Sequence, residues 1–199
     1  HLRTRRQRQM CIRDSAKIVA AEIGLDAISI ASALIHDVVE DNSDHTLEKI
    51  KNEFGEKITK IVDGLTKIGK LNTKGYSDVS IQAENYRKML LTLNEDVRVI
   101  IIKIADRLHN MQTLSSMPYE KQIQKASETL YIYAPLAHRI GLYNIKTELE
   151  DLGLKYTDPD TYDEISEKLI ESKKDQDEYI KKFNSIISST LTKEKLKYS

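Results

Sequence analysis

From Ala16 onward, apolar residues recur at three- and four-residue spacing through most of the 199-residue chain, and this rhythm is the strongest constraint on its fold. Ile18, Val19 and Ile23 make a stripe that stops at Gly24, and Asp26 is placed to cap a second helix whose apolar positions are Ile28, Ile30, Ala31, Leu34, Ile35 and Val38. Thr46 caps a short helix that runs to Phe54. Gly55 then opens one that carries Ile58, Ile61, Val62, Leu65 and Ile68. Further helices are predicted over 79–93, 96–114 and 118–140, with one more from Gly141 to Tyr156. Pro135 should kink its helix, since it removes a backbone donor. Residues 97–105 are dense in β-branched side chains, which favours a strand. Helix is expected there nonetheless, because a lone strand would lack a partner and residues 106–111 continue with helical spacing. Seven glycines, three prolines and a charged fraction of 31%, against about 25% in average proteins, agree with a helix-rich protein with solvated faces. The expected class is all-α.

Residues 1–15 stand apart. They carry Arg3, Arg5, Arg6, Arg8 and Arg13 without amphipathic rhythm and read as an atypical, disordered or foreign segment. Residues 16–156 form the expected helical domain, and the highly charged 157–199, after a break at Asp158-Pro159, a helical connector. The formal net charge of zero argues against nucleic-acid binding held by overall positive charge, although a local basic pocket for a phosphorylated small molecule stays open. The longest apolar run, 97–105, is interrupted by Arg98 and Lys103 and is far short of the roughly 18 residues a membrane span needs. Cys11 has no second cysteine to pair with, and a reducing cytoplasm is expected.

The chemistry concentrates in His36-Asp37-Val38-Val39-Glu40-Asp41, at the end of the second helix's apolar run. On a helix, Glu40 lies four residues after His36 and three after Asp37, so an imidazole and three carboxylates crowd roughly one face. Such crowding gains nothing for folding. A cation, or a proton held at raised pKa, compensates for it. A second group, Asp106, His109, Asn110 and Thr113, falls on one helical stripe. Alone, Asp106 reads as a cap or as a partner for Arg107. Beside His36 and Asp37 it completes a nitrogen and oxygen set suited to a hard or borderline divalent ion that can activate water and polarise a phosphoryl oxygen.

Other chemistries fit less well. A zincin needs His-Glu-x-x-His, whereas Asp37 and Glu40 occupy the second and last of those positions. Residues 64–70 match most of a P-loop but are followed by Leu71 instead of Ser or Thr, and their glycines fall inside an amphipathic stripe instead of after a strand. His45 reads as a loop residue and His138 as a surface or packing residue. The ten tyrosines are too scattered for a base-stacking platform.

Five separated blocks then appear in order: His36-Asp37-x-x-Glu40-Asp41, 62–67 (VDGLTK), 82–90 (QAENYRKML), 105–111 (ADRLHNM) and 133–141 (YAPLAHRIG). Together they closely resemble the hydrolase domain of the RelA/SpoT homologues, from about residue 16 to the C-terminus. The resemblance implies an all-helical HD-domain bundle that uses Mn2+ to remove the 3′-pyrophosphate of the guanine nucleotide (p)ppGpp, returning GDP or GTP. It further implies His36, Asp37 and Asp106 as metal ligands, Glu40 and Asp41 as the carboxylates that order and deprotonate the attacking water, Asn110 and Thr113 as nucleotide contacts and Lys121 as a phosphate contact. In the family, a basic loop ending in His-Pro supplies one more metal histidine ahead of the helix matching 16–24, and synthetase and regulatory domains follow. That loop has no counterpart in this sequence. Cys11 falls at the histidine's position but is not assigned as a ligand, and no synthetase activity is expected here.

Overall fold

The computed structural model describes residues 11–41, 45–69, 84, 86, 87, 89–91 and 95–193, and every regular element among them is helical. The chain divides into two compact units, with the break between Thr157 and Asp158.

The first unit is built from helices whose ends the sequence marks. Helix already begins at residue 11, inside the stretch set apart as atypical, and α1 (11–23) closes in a π-turn, Ile18–Ile23, stopped by Gly24 in the left-handed conformation at φ 76°. Asp26 caps α2 (Ala27–Ile35), its carboxylate accepting from the Ser29 amide at 3.0 Å. After a turn through His36 and Asp37 comes the short α3 (Val38–Asp41). Thr46 caps α4 (Leu47–Phe54), and Gly55, at φ 83°, turns the chain into α5 (Glu56–Gly69). Of the helix expected over 79–93, residues 84, 86, 87 and 89–91 are helical; the others lie outside the described residues.

The β-branched run is helix. It opens α6 (Val97–Gln112), capped by Asp96, whose carboxylate accepts from the Arg98 amide at 3.0 Å. Burial decides the matter: Val99, Ile100, Ile102, Ile104, Ala105, Leu108 and Met111 all lie in the core, so tertiary packing overrides strand propensity. α6 is the central helix of the unit and touches α1, α2 and α5, as well as the two helical segments that follow Pro118 and Gly141. The first of these is α7 (Tyr119–Glu128), which passes through a π-turn, Thr129–Tyr133, into α8 (Ala134–Arg139). The kink expected at Pro135 takes this form. Proline cannot donate to the carbonyl four residues back and its ring would clash there, so the turn before it widens and the Ala134 amide donates instead to the Thr129 carbonyl. Gly141, at φ 82°, reverses the chain into α9 (Tyr143–Thr157).

Gly64 explains the glycines of the P-loop-like stretch. It lies inside α5 where a Cβ would stand 2.9 Å from Val99 Cγ2, so the glycine sets the distance between α5 and α6. Val99 is buried and stiff at χ1. Gly64→Ala should therefore cost about 1–2 kcal/mol, overpacking outweighing the gain in helix propensity; chemical denaturation checks this.

Arg98 interrupts the apolar run for a structural reason. Its guanidinium reaches Asp96 Oδ2 at 2.7 Å and Asp26 Oδ2 at 3.4 Å, tying together the caps of α6 and α2. The Arg98 hydrogen bond holds the Asp96 carboxyl below the usual carboxylate range, against the opposing effect of burial. Its stabilisation is therefore complete above the unfolded-state value and is lost as pH falls through the lower folded value. Asp96→Ala should cost about 1 kcal/mol near pH 7, with the difference from wild type closing in acid below about pH 4; urea melts across pH check both.

The second unit is described by α10 (Pro159–Lys193), whose Asp158 accepts from the Thr161 amide at 3.2 Å. It exposes Ile165, Leu169, Tyr179, Phe183 and Ile186. No helix among the described residues is long and apolar enough to cross a membrane.

Candidate metal and phosphate site

The caps set the site. His36 stands ten residues after Asp26, and Asp106 ten after Asp96. With Arg98 joining the two caps, helices running side by side in the same direction bring both residues to one height, about 15 Å along at 1.5 Å per residue. His36 Nε2 lies 3.9 Å from Asp106 Oδ1.

His36 is 2% exposed. Its Nδ1 lies 2.6 Å from the Ala33 carbonyl and must donate to it, so the neutral ring keeps its lone pair on Nε2, the nitrogen turned toward the carboxylates. Nε2 is 3.0 Å from Asp37 Oδ1, an ion pair when the ring is protonated; on the neutral ring it is a buried nitrogen without a hydrogen-bond partner. Burial opposes its protonation, but the Asp37 and Asp106 carboxylates outweigh burial and lift its pKa above the ordinary histidine value.

Two donors about 3 Å apart match the spacing of adjacent ligands around a hard divalent ion with bonds of about 2.1 Å. The donor types present, one imidazole nitrogen and carboxylate oxygens from two helical segments, suit such a group. Among the described residues, no group of three or more His, Cys, Asp and Glu side chains is gathered closely enough to hold a metal ion.

Asn110 is half-buried one turn beyond Asp106 on α6. Thr113 is exposed at that helix's C-cap, and its hydroxyl donates to the His109 carbonyl at 3.1 Å. His109, on the same predicted stripe, is instead buried, with Nε2 3.7 Å from Asp14 Oδ2. Lys121 is exposed in the first turn of α7. The backbone of Glu40 and Asp41 belongs to α3, directly after the ligand pair; their side chains lie outside what the structure describes. Cys11 is half-buried, and burial, then the charge on Asp106, raises its thiol pKa, which disfavours the thiolate needed for metal binding.

One neighbour escaped the sequence analysis. Lys103 Nζ is 3.5 Å from Asp106 Oδ2, and both side chains are largely buried, so one carboxylate oxygen faces an ammonium and the other faces His36. The three-residue spacing on a helix was a signal for this contact.

An HD-domain family profile matches residues 4–143. The chain is 48% identical over 163 residues to a guanosine-3′,5′-bis(diphosphate) 3′-pyrophosphohydrolase of Aquifex aeolicus, covering 82% of this chain and 23% of that protein. It is 43% identical over 180 residues to a GTP pyrophosphokinase of Myxococcus xanthus, covering 90% and 24%. A probable guanosine-3′,5′-bis(diphosphate) 3′-pyrophosphohydrolase of Synechocystis is 41% identical over 177 residues, covering 89% and 23%. The chain thus spans less than a quarter of the length of these curated relatives.

Proposed function

The chain belongs to the HD-domain family, as the HD domain of a RelA/SpoT homologue, and on that premise we propose that it hydrolyses (p)ppGpp to GDP or GTP and pyrophosphate in a Mn2+-dependent reaction. The observation that carries this reading is the buried Nε2 of His36, which has no hydrogen-bond partner and faces two carboxylates, one from the next residue and one from a separate helix. Desolvating an imidazole lone pair beside anions gives folding nothing; as a ligand set for a cation it is complementary.

In this reading His36, Asp37 and Asp106 hold the ion, which when bound polarises the phosphoryl oxygen and acidifies water. Glu40 and Asp41 orient the attacking water and take its proton. The water oxygen joins the phosphorus attached to the ribose 3′ oxygen, that bond breaks, and the 3′ oxygen ends protonated while pyrophosphate leaves. Asn110 and Thr113 face the nucleotide, with Lys121 as a phosphate contact. The Ala33 carbonyl fixes the ring of His36, and Lys103 leaves one oxygen of Asp106 directed at the site. Residues 16–156 act as the hydrolase domain of a cytoplasmic protein, and the C-terminal residues lead toward a synthetase domain in the parent.

A substrate panel tests this. With manganese, the chain should turn over ppGpp in preference to GTP, GDP and dGTP, and chelation should stop the reaction. Binding of ppGpp without turnover and without metal dependence would instead make it a sensing module, and equal turnover of ordinary nucleotides a general phosphohydrolase.

A further inference from the structure

Next to Asp106 on α6 stands Arg107, a charged side chain sealed in the core. Its Nη2 is 3.0 Å from Glu128 Oε2, with both side chains 8% exposed or less, and its guanidinium carbon lies 4.1 Å from the centre of the Tyr133 ring. Lys125 Nζ adds a second contact to Glu128 Oε2 at 3.3 Å. A buried ion pair is weak grounds for stability, because desolvation offsets most of the attraction. Its cost calls for another role.

The π-turn explains how the grip is made. Glu128 and Tyr133 are five residues apart, which on an α-helix would put them about 140° apart around the axis. Widening the turn Thr129–Tyr133 to five-residue bonding, about 4.4 residues per turn, narrows that angle to about 50°, so one side of the helix presents a carboxylate and an aromatic ring to the same guanidinium. A planar fork held at its edge and on its face is fixed in direction, unlike an apolar knob, which tolerates rotation.

We propose that Arg107, clamped between Glu128 and Tyr133, is the positioning residue for Asp106: it fixes the rotation of α6 about its own axis and so the approach of the Asp106 carboxylate to His36. The inference rests on the reading of His36, Asp37 and Asp106 as a metal site. A rotation of about 20° would displace a group about 5 Å from the helix axis by roughly 2 Å, more than a metal shell tolerates. Arg107 itself touches neither metal nor substrate.

The test uses the full chain with two variants, Arg107→Met/Glu128→Leu, which removes both charges together, and Arg107→Lys, which keeps the charge but loses the fork. Thermal melting and Mn2+ affinity, by titration of the free-ion electron paramagnetic resonance signal, are read on each. The double variant should melt at or above wild type while binding Mn2+ at least about tenfold more weakly, the loss seen when groups that orient metal ligands are removed. Arg107→Lys should fall between the two in affinity. Wild-type affinity in a folded double variant overturns the clamp, as does a double variant that unfolds while Arg107→Lys binds like wild type. If the wild-type chain itself binds no Mn2+, the metal reading fails and the positioning role falls with it.

Discussion

Asp106→Asn is expected to lower manganese-dependent hydrolysis of ppGpp by roughly 10³-fold or more, with stability changed by no more than about 1 kcal/mol. Asparagine keeps the shape of the side chain, so the packing of α6 is undisturbed. What disappears is the negative charge 3.9 Å from His36 Nε2, supplied from a helix other than the one leading into His36 and Asp37. Those two neighbours alone leave an imidazole and a single carboxylate, too little to hold a divalent ion against water. Side-by-side rates and melting curves separate the two effects. Large losses of both rate and stability would mean that Asp106 is a structural charge; an unchanged rate would remove it from the site.

Leu108→Ala should have the largest effect on stability. Leu108 is fully buried in the middle of α6, the helix that contacts most of the first unit. Truncating a core leucine costs about 2–5 kcal/mol, depending on how far the cavity collapses, and for a chain of this size that lowers the melting temperature by roughly 5–15 °C. Because α6 also carries Asp106, manganese should recover part of the loss in proportion to its occupancy. Calorimetry with and without Mn2+ measures both.

Much of the fold was legible because the helix ends carry their own chemistry. Asp26, Thr46 and Asp96 are short oxygen-bearing side chains ahead of apolar stripes, and each accepts a backbone amide as that position demands. Gly24 takes the left-handed stop that its place after Ile23 implied. The union of His36, Asp37 and Asp106 was legible as two separate clusters of matching donor type, but not as geometry. What brings them level is the equal distance of each from its cap together with Arg98, which in the sequence looks only like an interruption of an apolar run. Lys103 was obscured in the same way. The π-turn was beyond reach because proline predicts a kink without saying how the freed backbone groups are satisfied, and only the widened turn brings Glu128 and Tyr133 onto Arg107. At Glu40 and Asp41 the roles rest on sequence alone.

The proposed activity removes pyrophosphate intact from the 3′ position, and ppGpp labelled on the terminal 3′ phosphate reports whether this happens. Incubated with the chain and Mn2+, it should yield label as pyrophosphate and stoichiometric GDP, with neither formed when the metal is chelated. Label released as orthophosphate, or the same release in the presence of chelator, or none at all from a folded chain saturated with manganese, would contradict it.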